Sequence, residues 1–235
     1  MRHLICAICV LAIPSLSVKA ENEGERQTVQ KMSGAEDGLQ YLLYLPENYN
    51  AVQNWPLVLF LHGSGERGSK IERVKKHGPP KLVAAGRKFP FILVSPQCPA
   101  DQRWDAEKLG ELISQLEKRY SVDKDRIYVT GLSMGGAGTW ALVASDPDRF
   151  AAIAPVCGRG NPASAKSFAH KPAWVFHGAR DRVVPLRESQ RMVDAMKASG
   201  GTPKFTIYPE AGHDSWTAAY SNPKFYAWLL EQKRK

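Results

Sequence analysis

From residue 28 onward, short apolar runs alternate with stretches whose apolar residues recur every three or four positions. The runs 57–61, 91–94, 127–130, 151–155, 173–176 and 205–208 predict strands. Several are apolar at nearly every position, the pattern of central strands of a parallel sheet covered on both faces. Segments 28–32 and 39–45 flank Asp37-Gly38, a pair suited to a hairpin turn. In 106–120, Leu109, Leu112, Ile113, Leu116 and Tyr120 form a single stripe at helical spacing. Segment 136–145 also has helical character, 186–199 ends before Gly200-Gly201, and 215–232 reads as a closing helix interrupted near Pro223. Strands alternating with helices predict an α/β architecture: a mostly parallel sheet with helices on both faces, begun by an antiparallel hairpin. No linker, repeat or low-complexity tract divides the chain, so residues 21–235 are expected to be one domain.

The first residues follow a different pattern. Met1-Arg2-His3 is a short basic start, residues 4–13 are continuously apolar, Pro14 breaks the run, and Val18-Lys19-Ala20 suits a signal-peptidase cut. The apolar run is shorter than the about 20 residues a membrane-spanning helix needs. Residues 1–20 are therefore expected to be a signal peptide, cleaved after Ala20. The remaining chain would be secreted or periplasmic, without stable membrane insertion. Cleavage leaves 30 basic against 23 acidic residues, a net charge of +7. These charges are scattered, apart from Lys75-Lys76 and Lys233-Arg234-Lys235, and no nucleic-acid-binding motif accompanies them, so no nucleic-acid partner is expected. Cleavage would also leave two cysteines, Cys98 and Cys157. Export permits a disulfide between them, and two buried free thiols are the other reading. Two cysteines without clustered histidines lack the ligand count for a metal site, so no metal is expected.

The chemistry centres on Gly131-Leu132-Ser133-Met134-Gly135, a G-x-S-x-G motif between a predicted strand and a helical segment. A serine at such a junction must turn sharply, and flanking glycines relieve the crowding. The turn lifts the hydroxyl clear and sets it near a helix N-terminus, where negative charge is favoured. A hydroxyl needs a base to act as a nucleophile. His213 lies in the loop after the last predicted strand, and Asp181 follows the strand 173–176. Together they give the order Ser, Asp, His. Asp181 would fix the imidazole tautomer; Asp214 is a weaker rival, and Asp146 and Asp148 look like turn residues. Oxyanion donors are expected from the backbone N–H of Met134 and of Ser64, with Gly65 next after Ser64, in His62-Gly63-Ser64-Gly65-Glu66-Arg67-Gly68. That loop lacks the phosphate-binding patterns G-x-x-x-x-G-K-[ST] and G-x-G-x-x-G. Gln97, Trp104 and Trp216 are candidates for the substrate pocket, while Trp140 and Trp174 belong to the core. The stretch from Cys157 to Lys171 is too short for a lid domain, which predicts a shallow, open site.

The loop at 62–68 joins His77-Gly78-Pro79-Pro80, Ser95-Pro96-Gln97-Cys98-Pro99, Gly131–Gly136 and His213-Asp214-Ser215-Trp216 in a recognisable order. The set resembles a bacterial carboxylesterase family of the α/β-hydrolase superfamily. Its members include phospholipase/carboxylesterase-like proteins and "predicted peptidases", related to dienelactone hydrolase and to feruloyl esterase or polyester depolymerase domains. The likeness spans roughly residues 28–232. It implies a cofactor-independent serine esterase acting on small-molecule or polymer-attached esters, such as feruloyl or acetyl sugars. A serine peptidase or acyltransferase would use the same triad, and a non-catalytic binding protein on this fold would lack one of its members. The oligomeric state is left open.

Overall fold

We describe a computed structural model of the chain, covering residues 26–34 and 38–234. The expected signal peptide lies outside the described residues, as does Asp37 of the hairpin turn. Eight strands form one sheet: β1 (Thr28–Lys31), β2 (Gln40–Tyr44), β3 (Trp55–Leu61), β4 (Ile92–Pro96), β5 (Val122–Leu132), β6 (Ala152–Val156), β7 (Trp174–Gly178) and β8 (Lys204–Tyr208). Their spatial order is β1-β2-β4-β3-β5-β6-β7-β8. The pairs β1–β2 and β2–β4 are antiparallel, and every other pair is parallel. This is the α/β-hydrolase fold expected from the sequence, and all eight predicted strands are present.

The α-helices among the described residues are α1 (Gly78–Ala84), α2 (Ala106–Arg119), α3 (Met134–Ser145), α4 (Ala165–Phe168), α5 (Arg187–Ala198), α6 (Trp216–Ser221) and α7 (Pro223–Glu231). Because strand side chains alternate between faces, the central strands feed two cores. Leu57, Leu59, Leu61, Val129, Ile153 and Val175 pack with the stripe of α2 and with α3 to α5. Val58, Phe60, Tyr128, Ala154 and Phe176 face the other way, against α1, α6 and α7. All five residues of the predicted α2 stripe are buried. The helix is also capped as its sequence allows: Asp105 Oδ1 accepts the N–H groups of Glu107 and Lys108.

Helices α1 and α4 and the first half of β5 were not legible in the sequence; α4 is a single turn of four residues. Helix α1 is seven residues long and starts at Gly78-Pro79-Pro80, so periodicity has little to act on. Its prolines occupy the first turn, where a missing N–H breaks no intrahelical bond. Strand β5 extends back to Val122 through a polar stretch, because Val122 pairs with Trp55 across a register shift.

The strand order also places the site. From β3 the chain moves to β4 on one side, then returns across β3 to β5 and proceeds the other way. The carboxyl ends of β3 and β5 therefore flank the crevice at which the sheet's winding reverses, where such sheets bind ligands. The Ser64 loop leaves β3 there, and Ser133 leaves β5.

Candidate active site

Ser133 sits between β5 and α3 with φ 52° and ψ −111°. This backbone conformation is strained for a residue with a side chain, at a cost of about 1–3 kcal/mol. Packing holds it in place. The Ser133 N–H donates to Val156 O at 2.9 Å, tying the elbow to the end of β6, and Gly135 lies directly against the backbone of Leu61. A β-carbon at position 135 would be driven into the Leu61 carbonyl oxygen. Gly135→Ala should therefore destabilise the fold by about 3 kcal/mol, the upper end for overpacking, because a backbone carbonyl cannot swing aside. A urea titration checks this; an unchanged midpoint would contradict the packing argument.

The structure brings the three sequence-predicted chemical residues together. His213 Nε2 is 2.9 Å from Ser133 Oγ, and His213 Nδ1 is 2.7 Å from Asp181 Oδ2. The other carboxylate oxygen, Oδ1, accepts the N–H groups of Val183 and Val184 at 2.9 Å each. Burial pushes the Asp181 carboxyl up, but hydrogen bonds from His213, Val184 and Val183 outweigh it and hold the group below its ordinary value. The stability this ionisation contributes is present above the ordinary carboxylate range and is lost as pH falls through the depressed value. Asp214 does not compete for His213: its carboxylate accepts from the Thr217 N–H and hydroxyl at the start of α6. Asp146 pairs with Arg149 in the turn after α3.

The sequence reading missed a second histidine on the same carboxylate. His177, fully buried at the end of β7, places Nε2 at 3.2 Å from Asp181 Oδ2 and 2.8 Å from Val184 O. Both neighbours are acceptors, so Nε2 carries the proton, and Nδ1 accepts from the Ser189 hydroxyl at 2.7 Å. Its sequence signal was its place four residues before Asp181, at the end of a strand leading to the acid.

Ser64 and Met134, the expected oxyanion donors, line the same cavity of about 470 Å³ as Ser133. Met134 is the first residue of α3, so its N–H has no partner within the helix. The Ser64 loop is oriented through its carbonyls. Arg67 Nε donates to Ser64 O, and Arg73 donates to Gly65 O and Arg67 O.

Gln97 completes this clamp and requires a correction. It does not face substrate: its side chain is buried, and Nε2 donates to Glu66 O at 2.8 Å and Lys70 O at 2.9 Å. Two loop carbonyls need a donor, and an amide inside the loop supplies it. Gln97→Ala leaves both without that donor, so stability should fall by about 1–3 kcal/mol. Turnover should fall with it as the loop loosens, and denaturation and steady-state kinetics on one variant check both.

The tryptophan assignments change as well. Trp104 packs against Gly138 of α3, and its Nε1–H donates to His62 O at 3.1 Å, so it props the loop instead of lining the cavity. Trp216 meets His213 edge-on, with ring centroids 5.2 Å apart, and packs on His77 behind it. It forms a wall for the imidazole and is not part of the cavity lining. Of the two core tryptophans, Trp140 is fully buried, while Trp174 is half-buried and bonds Thr206.

His62 is buried under the donor loop. Burial, aided by the charges of Arg67 and Arg73, lowers it to about 4. It is therefore neutral near pH 7, accepting the Cys98 N–H at Nε2. Cys98 and Cys157 are both free and buried, which favours the second of the two readings. Among the described residues, Cys157, Asp181 and His213 bring potential metal-binding atoms within 4.8 Å of one another. The histidine and carboxylate already bond each other, and burial pushes the thiol up to about 12, so it is protonated.

A model of the dienelactone hydrolase family matches residues 100–224, a span that holds Ser133, Asp181 and His213 but not the Ser64 loop. The chain is 28% identical over 153 residues to a bifunctional acetylxylan esterase/xylanase of Neocallimastix patriciarum, covering 62% of this chain and 22% of that protein. It is 29% identical over 172 residues to a poly(3-hydroxyalkanoate) depolymerase C of Paucimonas lemoignei, covering 66% and 38%. A thermostable esterase of known structure superposes with a TM-score of 0.76 at 31% identity, over 88% of this chain and 63% of that one. The chain thus spans between about a fifth and two fifths of the length of these two sequence relatives.

Proposed function

This chain belongs to the dienelactone hydrolase family, and from that premise we propose that it is a secreted serine esterase, a carboxylic ester hydrolase working through an acyl-serine. One observation carries the reading: His213 joins the Ser133 hydroxyl to the Asp181 carboxylate through its two ring nitrogens, at 2.9 and 2.7 Å. The likeness to acetylxylan esterase, polyester depolymerase and thermostable esterase supports ester chemistry.

Ser133 Oγ attacks the ester carbonyl carbon while His213 Nε2 takes its proton. The oxyanion of the tetrahedral adduct is received by the N–H groups of Met134 and Ser64, a donor pair of which each member is typically worth about 10²–10³ in turnover. His213 returns the proton to the alkoxy oxygen, the C–O bond breaks, and the alcohol leaves an acyl-Ser133. Water then attacks the acyl carbon, giving its proton to His213. The second adduct collapses to the free acid, and Ser133 recovers the proton. Asp181 keeps Nδ1 protonated and balances the imidazolium throughout. Substrates are soluble or polymer-attached esters, including acylated sugars. Residues 1–20 direct export, and residues 21–235 form the single catalytic domain.

The test is chemical labelling. A fluorophosphonate should phosphonylate Ser133 Oγ and release fluoride, giving an adduct on the peptide that holds Ser133. The same preparation should hydrolyse members of a panel of acetyl, butyryl and feruloyl esters. An adduct on another residue, or none, would sink the assignment of the nucleophile. A labelled serine with no ester turned over would sink the reaction class.

A further inference from the structure

The cavity at Ser133 is lined by three arginines, Arg67, Arg103 and Arg159, against a single acidic residue, Asp101. A neutral ester develops one negative charge on reaction, which the Met134 and Ser64 N–H groups already meet, so the further guanidinium groups exceed what such a substrate requires. Arg67 is held at the wall by donating to Ser64 O and Gln102 O, both at 3.1 Å. Arg103 and Arg159 are exposed, and neither makes a hydrogen bond or ion pair with a described residue. Among the described residues nothing occupies their guanidinium forks, and such a fork matches a carboxylate in a bidentate fashion.

The sheet sets where these charges lie. Arg103 is on the loop after β4 and Arg159 on the loop after β6, while Ser133 leaves β5 between them. Strands β4 and β6 are three steps apart in the order β4-β3-β5-β6. At about 4.8 Å per step, the roots of the two loops stand on the order of 14 Å apart, across the nucleophile. The two arginines thus enter the one cavity from opposite sides of Ser133, where an extended chain with acid groups on either side of the ester can engage both. With no domain inserted between Cys157 and Lys171, a chain can also lie across the opening.

We propose that the substrate is an acyl ester carried on a uronate-bearing polysaccharide, whose carboxylates are gripped by Arg103 and Arg159 on either side of the scissile bond. This rests on the esterase reading and names the substrate class of the same site. Positive charge focused at the opening also raises the local concentration of a polyanion, an attraction that salt screens.

The experiment separates the two readings by measuring binding apart from turnover. Ser133→Ala protein is run by affinity electrophoresis through gels containing acetylated polygalacturonate or acetylated xylan. Retardation should be strong in the first, weak in the second, and reduced by added salt. The double variant Arg103→Gln/Arg159→Gln, built on the same background, should lose most of it, on the order of tenfold in affinity. A double variant of equal net charge, Lys197→Gln/Lys224→Gln on α5 and α7, should keep it. Equal losses in the two double variants would mean diffuse attraction to a basic protein and would overturn the proposal. In parallel, release of acetate by the unsubstituted protein should favour the acidic polymer over xylan by about tenfold, and the arginine variant should abolish that preference. A preference for xylan, or for a small aryl hemisuccinate over the acidic polymer, would also overturn it. Retention of the acidic polymer with neither turnover nor fluorophosphonate labelling would instead leave the substrate class standing and remove the esterase reading.

Discussion

Ser133→Ala should lower kcat on every ester the protein cleaves by about 10⁶, with KM changed little, the loss typical when a serine nucleophile is removed from an intact triad. The variant should be at least as stable as its parent. Alanine keeps the backbone conformation of the elbow and still offers its N–H to Val156 O, so the strain at φ 52° and its support are both preserved. What disappears is the one oxygen within 2.9 Å of His213 Nε2. The Met134 and Ser64 N–H groups remain, so residual hydrolysis of activated aryl esters by water should stay above the uncatalysed rate. Stopped-flow and long-incubation assays on aryl acetates cover the required range. A loss below about a hundredfold would mean that another residue forms the acyl-enzyme, since oxyanion donors alone supply effects of that size.

Asp181→Asn should reduce kcat by about 10⁴ without unfolding the protein, through the tautomer of His213. Oδ1 of Asp181 accepts two backbone N–H groups, so an asparagine is obliged to keep its carbonyl oxygen there. Its NH2 group then faces His213 Nδ1 in place of Oδ2. Two donors cannot share that bond, and the imidazole moves its proton to Nε2, where it can no longer take one from Ser133. His177 makes the replacement worse, because its Nε2–H also points at the position of Oδ2. The variant should therefore lose some stability as well as rate, whereas Asp181→Ala should lose stability chiefly by stranding the Val183 and Val184 N–H groups. The ring-proton resonances of His213 in parent and asparagine variant check the tautomer directly. Unchanged resonances together with a small kinetic loss would contradict the mechanism.

The parts legible in the sequence were those with a local signature. Apolar runs marked six of the strands, the Asp37-Gly38 turn signal marked the first two, and the stripe at 109–120 marked a helix, because burial leaves a periodic trace in a regular element. Ser133, Asp181 and His213 were legible through their order and their places after strands. Side-chain direction inside loops was not. Gln97, Trp104 and His177 stand in loops or at strand ends where no periodicity assigns a face. Which way each points is decided by carbonyls of other loop residues: Glu66 and Lys70 for Gln97 and His62 for Trp104, all far off in sequence, and Val184 in the turn after β7 for His177. Helix α1 escaped because its defining prolines are read first as breakers. The arginines of the cavity come from three loops and converge only once the strand order is known.

The position of β8 bears on how the protein would fail. This strand closes the sheet on one side, bonds only to β7, and is only partly covered, yet the loop beyond it carries His213. Ser133, by contrast, follows the buried end of β5 and bonds to the end of the buried strand β6. Local opening spreads from poorly covered margins inward. Fraying of that margin would carry the imidazole away while leaving the serine seated, and would give a disarmed state that is still folded. Loss of activity under mild stress would then report on one margin of the sheet and not on the core, and would reverse on return to native conditions.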